Sequence, residues 1–465
     1  TKVKWNDHPI LGNLELDFAN ISTGDPSDTI LFAGENGTGK TTILESISTF
    51  LNRGSFEHFE YIKYIVDGKP YTATPLLDSN IKDFYTITDD TTGTKTEKRS
   101  NKENSPELID TDPSDIRRYG CVFSKARADY RTSRITSTTT KLLDSEKYDI
   151  DQEDDFTSLK QLIVDIETQD NADYADINRQ LEDSAKLWKD FYLTSKISRF
   201  KNAFDNFFEQ KIKYEKVTDI NSEKEIVFKK NNTDIYIDKL STGEKQIVFR
   251  GIYLLKNSNN LNGAAIMIDE PELSMHPKWQ KKSLKYYKDL FTESNSQKAQ
   301  LFIATHSDHV LKEALGDQAK NTVIVLKEDS GAIIAKKIVA PSVLPEITSA
   351  ETNYLAFDIT SIDYHIELYG WLQQRTSINT RSVKGCDDFI KNHQLYQQNI
   401  HSKPSSHEIS PDRTTHYETI CTYIRNAIHH PDSSRTYTEL EFKRSIELLI
   451  ELCKMPVDST VVTHS

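Results

Sequence analysis

Gly34-Glu35-Asn36-Gly37-Thr38-Gly39-Lys40-Thr41-Thr42 contains the phosphate-binding pattern G-x-x-x-x-G-K-[ST]. The residues before it, 29–33, read as a short buried strand, and residues 41–51 carry apolar side chains at helical spacing. Strand, glycine-rich turn and helix together are α/β grammar. The turn lets the backbone N–H groups of Asn36, Gly37, Thr38 and Gly39 face an anion at the N-terminus of a helix. Lys40 adds a positive charge, the Thr41 hydroxyl a Mg²⁺ ligand, and Thr42 lies beside them on the first turn. The expected ligands are ATP and Mg²⁺. The plain alternative, a chance glycine-rich turn, loses its weight once the later motifs are counted.

Residues 264–268 form an apolar run that ends in Asp269 and Glu270. Two acids at the tip of a buried strand make sense beside a cation. Asp269 is expected in the Mg²⁺ shell and Glu270 as the group that orients or deprotonates the attacking water. Taken alone, a strand followed by a solvated acidic turn is the commoner explanation; Lys40 in the same chain tips the balance.

The rest of the chain sets bounds. It has 465 residues, 36% hydrophobic and 10% aromatic, too many for one core of ordinary size and enough apolar surface for two or three. No run approaches eighteen apolar residues and no signal peptide is apparent, so a cytoplasmic protein without a membrane partner is expected. Cys121, Cys386, Cys421 and Cys453 lie far apart with no CxxC spacing, which argues against a disulfide framework or a zinc cluster. The formal net charge is −13, so nucleic acid would have to be met by a local basic patch. One such patch is Arg117, Arg118, Lys125, Arg127, Arg131 and Arg134, with Tyr119 and Tyr130 interleaved; a solvated basic face explains it equally well.

The pattern suggests a first lobe over residues 1–140, a helical insertion over 141–222, a second lobe over 223–345 and a helical C-terminal domain over 346–465. Residues 86–115, rich in Thr, Ser, Asp and Lys, read as a solvated loop, and 400–415 as a Ser/Pro/His-rich interruption. Residues 322–326 and 332–338 read as a hairpin, and Thr438 with Glu441 as a capping box.

Two further stretches resemble a family. Leu240-Ser241-Thr242-Gly243-Glu244-Lys245-Gln246 looks like the signature of ABC-type ATPases, and His306 matches their switch histidine. The fold this implies is an ABC ATPase head, a mixed sheet with flanking helices. It also implies that Ser241, Thr242, Gly243 and Glu244 of one copy meet the phosphates on another copy's P-loop. One set of motifs then means a homodimer with ATP between its halves. Glu270 and His306 would be the catalytic pair. A Q-loop glutamine is absent after residues 119–123, and Trp5 and Phe18 are the aromatics considered for adenine.

About 200 residues separate Lys40 from Ser241, and Asp269-Glu270-Pro271-Glu272-Leu273-Ser274-Met275-His276-Pro277 resembles the RecF, SMC and OLD form of this motif, not that of transporters. With Phe123-Ser124-Lys125-Ala126-Arg127-Ala128-Asp129-Tyr130 and Tyr364-His365-Ile366-Glu367-Leu368, the chain is most similar to PtuA-like ATPase subunits of Septu anti-phage systems, which also accompany some retrons. That resemblance implies an HNH endonuclease partner and, with retrons, DNA or a reverse-transcribed DNA–RNA hybrid. Arg425-Asn426-Ala427-Ile428-His429-His430 resembles the R-x4-6-H motif of HEPN domains, which would make Arg425 and His430 ribonuclease residues. A helix end terminated before Pro431 explains the same residues. A RecF- or SMC-like DNA repair ATPase remains the third alternative.

Overall fold

The structure, a computed structural model, describes residues 1–76, 84–99, 112–126, 148–150, 156–179, 191–192, 195–256, 262–293, 296–375, 380–410, 413–430 and 435–455. The chain divides into two units, Thr1–Lys337 and Ile338–Ser465.

The first unit is built on a seven-stranded sheet in the order Ala332–Ile338, Asn321–Asp329, Thr29–Gly34, Gln300–Ala304, Ala265–Asp269, Cys121–Ser124 and Tyr148–Ile150. The strand Thr29–Gly34 is wholly buried and runs parallel to both neighbours, as a near-continuous apolar run predicts. Register carries the design. Ala304 pairs with Phe32 on one side and with Asp269 on the other, so three strands finish at one edge. In a parallel sheet that carboxyl edge is where a crevice opens.

Over one face lies a six-stranded antiparallel sheet, ordered Glu15–Asp17, Lys2–Trp5, Phe59–Val66, Lys69–Pro75, Phe84–Asp89 and Lys95–Arg99. It shares a core with the helix Lys40–Leu51, in which Trp5, Phe50, Phe56, Phe59 and Tyr85 pack together. The expected loop over 86–115 is therefore partly strand. Lys95–Arg99 is an edge strand of charged, largely exposed residues, which protects the sheet from further pairing and hides the strand from an apolar pattern. Trp5 and Phe18 are buried in the core, with the Trp5 indole donating to Ser46 Oγ at 3.2 Å, so neither is free to stack on adenine.

Helices Phe156–Arg179 and Lys196–Phe207 lie in the expected insertion, and the chain then enters a three-stranded sheet, Ile212–Ile220, Glu223–Lys230 and Thr233–Tyr236. The first of these strands falls inside a stretch read as helical.

The second unit packs helices Ile362–Arg375, Ile420–His429 and Glu439–Lys454 around Tyr364, Leu368, Leu372, Ile424, Ile446 and Leu449. The capping box of Thr438 and Glu441 is present. This unit is not purely helical: Ser402–Ser410 and Arg413–Thr419 form an antiparallel hairpin where an irregular stretch was expected. Its turn-forming Ser and Pro residues masked the strand pattern. No helix among the described residues is long and apolar enough to cross a membrane.

Candidate nucleotide site

The helix Lys40–Leu51 starts at Gly39, which has φ 84°, no side-chain cap and no acid on the first turn. Its leading N–H groups are therefore left to an anion. Gly34 must be glycine: its φ is 143°, and a methyl group there would stand 2.3 Å from Leu326 O on the adjacent strand. Glu35, Asn36 and Gly37 are exposed, and Thr38 closes the turn by donating its hydroxyl to Glu35 O at 2.9 Å.

Lys40 is buried and folds back on its own loop, donating from Nζ to Gly34 O at 2.9 Å and Glu35 O at 2.7 Å. Burial lowers its pKa to about 8, against the opposing pull of Asp269, Glu270 and Glu272. The hydrogen bonds of this buried ammonium go to neutral carbonyls, where a polyphosphate would offer charged acceptors.

Thr41 Oγ1 donates to Asp269 Oδ2 at 2.9 Å across the sheet edge. Burial, and next to it the neighbouring Glu270 carboxylate, raise the Asp269 pKa. A buried carboxylate that resists ionising, beside a hydroxyl and a second carboxylate, is a hard-oxygen set that fits Mg²⁺. Glu270 follows with φ 46°, its N–H donating to Ala304 O at 2.9 Å, and its carboxylate lies 3.7 Å from His306 Nε2. That gap is too long for a direct hydrogen bond and leaves both groups facing the same space. Burial, followed by the charge of Lys40, lowers the His306 pKa and favours a neutral imidazole.

Two residues that the sequence reading did not single out hold this edge together. Glu272 is buried and accepts from Thr305 Oγ1 and from the His306 backbone N–H, both at 2.7 Å. Arg250, on the helix Thr242–Leu255, donates to Glu270 O at 2.9 Å and to Lys125 O at 2.7 Å. Lys125 follows the strand Cys121–Ser124, where a Q-loop glutamine was sought. The only prior signal for Glu272 was its place inside the motif 269–277, and Arg250 lay outside every motif.

Ser241 caps the helix Thr242–Leu255 in a reciprocal capping box with Glu244. Ser241 and Thr242 are exposed, whereas Gly243 and Glu244 are buried. The signature thus places two exposed hydroxyl residues at a fixed helix start, with Ser241 Oγ accepting the Glu244 N–H.

Residues 30–312, more than half of the chain, match the family described as "AAA domain, putative AbiEii toxin, Type IV TA system". The chain belongs to this AAA-domain family. The AAA-domain match spans the P-loop, the signature, the acidic strand and His306, the motif set of ABC-type ATPases. Over 119 residues it is 31% identical to the "Septu protein PtuA" of Bacillus thuringiensis, covering 23% of this chain and 28% of that relative. Over 100 residues it is 35% identical to the "Retron Vc95 probable ATPase" of Vibrio cholerae serotype O1 biovar El Tor, covering 20% of this chain and 18% of that relative. The matched stretches thus span less than a third of either relative's length. Among solved structures, an SMC head bound to the C-winged helix domain of ScpA aligns over 73% of this chain and 98% of that one, at 12% identity and a TM-score of 0.39.

The other expected sites fare differently. Arg117 is no phosphate ligand: it is buried, ion-paired to Asp115 at 2.7 Å, donates to Arg99 O at 3.1 Å and lies over the Tyr85 ring. Arg118 lies over the Tyr119 ring and Lys125 pairs with Glu45 at 3.6 Å. Arg127, Arg131 and Arg134 lie outside the described residues. In the second unit, Arg425 is half-buried and donates to Asn426 Oδ1 at 3.0 Å, while the exposed His430 stacks on His407 with ring centroids 4.9 Å apart. His365 is fully buried, bonded to Ser445 Oγ at 2.8 Å.

Proposed function

We propose that the chain is the ATPase subunit of a prokaryotic anti-phage defence system, of Septu or retron-associated type. It binds ATP and Mg²⁺ between two copies and controls a separately encoded HNH endonuclease. The observation that carries the nucleotide chemistry is the meeting of Thr41, Asp269, Glu270 and His306 beside the buried Lys40.

Lys40 leaves the carbonyls of Gly34 and Glu35 to meet the β- and γ-phosphates, exchanging neutral acceptors for charged ones. Thr41 and Asp269 are the residues that would hold Mg²⁺, which when bound would supply positive charge to the phosphates. Glu270 accepts a hydrogen bond from the attacking water and takes its proton, and His306 orients from the other side. Ser241 and Thr242 of the second copy donate to the γ-phosphate. The defence role and the HNH partner draw support from the two short relative matches. DNA or a reverse-transcribed hybrid is the nucleic acid this reading implies.

Glu270→Gln tests the reading: the variant accumulates an ATP-bound dimer on size exclusion, whereas unchanged hydrolysis overturns the assignment. Co-purification with the product of an adjacent HNH gene tests the partner. A second reading, a HEPN-like ribonuclease in the second unit, draws on the exposed His430 beside His407 with Arg425 on the same helix. RNA cleavage that survives both Arg425→Ala and His430→Ala removes it.

A further inference from the structure

Beside the signature lies a cavity of about 590 Å³, within the range that small ligands occupy. Its wall brings together Lys211, Lys230, Lys278, Lys281 and Lys282 against two glutamates, in a chain whose net charge is −13. Both glutamates are already engaged. Glu209 pairs with Lys282 and, at 3.1 Å, with Lys211, and Glu244 pairs with Lys230 at 2.8 Å. Lys278 and Lys281 project from the exposed first turns of the helix Pro277–Leu290, and no ion pair among the described residues uses them. The apolar part of the wall is Ile212 and three aromatics, Phe207, Phe208 and the half-buried Trp279, the last two meeting edge to face at 5.2 Å.

Two walls of this cavity are also walls of the signature. Glu244 gives one carboxylate oxygen to Lys230 and the other to the Ser241 backbone N–H at 2.8 Å. A methyl group at Gly243 would stand 3.1 Å from Trp279 Cζ3, so the indole lies directly against the signature backbone. An anion that draws Lys230 away from Glu244 alters the capping box that aims Ser241, and a planar group that shifts Trp279 presses on Gly243.

We propose that this cavity is an effector site for a nucleoside phosphate, read by lysine charge and aromatic contact and coupled to the signature through Glu244 and Trp279. Point charges around a nucleotide-sized space suit a phosphate, and an aromatic wall suits a base better than a carboxylate. The ligand is either a free nucleotide or one unit of a single strand. The coupling rests on Ser241 acting at a phosphate; the binding does not.

Binding is measured on the full chain without ATP, and turnover separately with it. Fluorescein-labelled dT12 is followed by anisotropy at several salt concentrations, with unlabelled dTMP and polyglutamate as competitors. Lys278→Glu with Lys281→Glu is expected to weaken dT12 binding at least tenfold and to flatten the salt dependence by about one unit of slope or more, as loss of one or two phosphate contacts requires. Basal ATP turnover is expected to stay unchanged, because neither lysine belongs to the nucleotide site. Displacement by dTMP marks a free nucleotide as the ligand; displacement only by longer strands marks a strand. With Lys230→Ala, bound dT12 is expected to lose its effect on turnover. Unchanged dT12 affinity in the double variant, or equal displacement by polyglutamate, overturns the proposal and leaves the ATP site reading intact.

Discussion

Glu272 Oε1 accepts the backbone N–H of His306 at 2.7 Å, and the same oxygen takes the Thr305 hydroxyl at 2.7 Å. A carboxylate two positions past Glu270 on the chain thus fixes where the histidine stands. Burial raises the Glu272 pKa, and both of these contacts use its oxygen as an acceptor. Glu272→Ala is expected to lower ATP turnover by about 10- to 100-fold with little change in ATP affinity, the cost of misplacing a group at the reacting centre. Glu272→Gln keeps an acceptor oxygen and is expected to restore most of the rate. Equal losses in the two variants, measured in a steady-state phosphate-release assay, count against a positioning role.

Lys40 titrates at about 8 in the unliganded site because burial disfavours its charge. Phosphate raises that value, so binding takes up a proton once the pH exceeds 8. ATP affinity is expected to be level below pH 8 and to fall by about tenfold per pH unit above it. Lys40→Ala is expected to abolish binding and, with it, this slope; isothermal titration across pH 7–10 reads both.

If the signature acts on the neighbouring copy, two dead variants can rescue each other. Lys40→Ala and Ser241→Arg chains are each expected to be inactive alone. Mixed in equal amounts, half of the pairs are hybrids with one intact site, and about a quarter of the wild-type rate returns. A mixture that stays inactive while hybrid pairs are present argues for a signature that serves its own P-loop.

Gly34→Ala places a methyl group 2.3 Å from Leu326 O at a backbone angle that side chains avoid. A destabilisation of about 2–4 kcal/mol is expected in thermal or denaturant unfolding. Gly37→Ala, where nothing stands within 4 Å, meets only the strain of φ 84°, about 1–2 kcal/mol. Equal effects at the two glycines would show that the strand contact is not what selects Gly34.

His365 offers a pH test of the second unit. Burial lowers its pKa from 6.5 to about 3. Above pH 6.5 the ring is neutral in folded and unfolded chains, and its contribution is fully present. As the pH falls below 6.5, the unfolded chain binds a proton that the folded one refuses, and stability drops by about 1.4 kcal/mol per pH unit until about pH 3. Urea unfolding at pH 7 and pH 5 is expected to show a smaller difference for His365→Gln than for the parent.

The candidate nucleotide site stands out in the sequence because each motif is a short local stretch: a glycine turn before Lys40, an apolar run before Asp269, a capped helix start at Ser241. What joins those stretches does not. Glu272 and Arg250 act through contacts with residues 34 and 20 positions away, and nothing local distinguishes them. Arg117 misled for the same reason, since the Tyr85 ring and Arg99 carbonyl that bury it are distant in sequence. Lys95–Arg99 escaped because a charged edge strand has no apolar face, and the hairpin Ser402–Thr419 because its strands are written in serine, histidine and proline.

Arg250 leaves one consequence. Its guanidinium clips the carbonyl of Glu270 and the carbonyl of Lys125 to the helix that Ser241 begins. In the proposed pair, that helix faces the neighbour's ATP while Glu270 serves its own. In that arrangement one guanidinium would tie the two halves of the work together, so that a triphosphate spent on one side would be felt on the other.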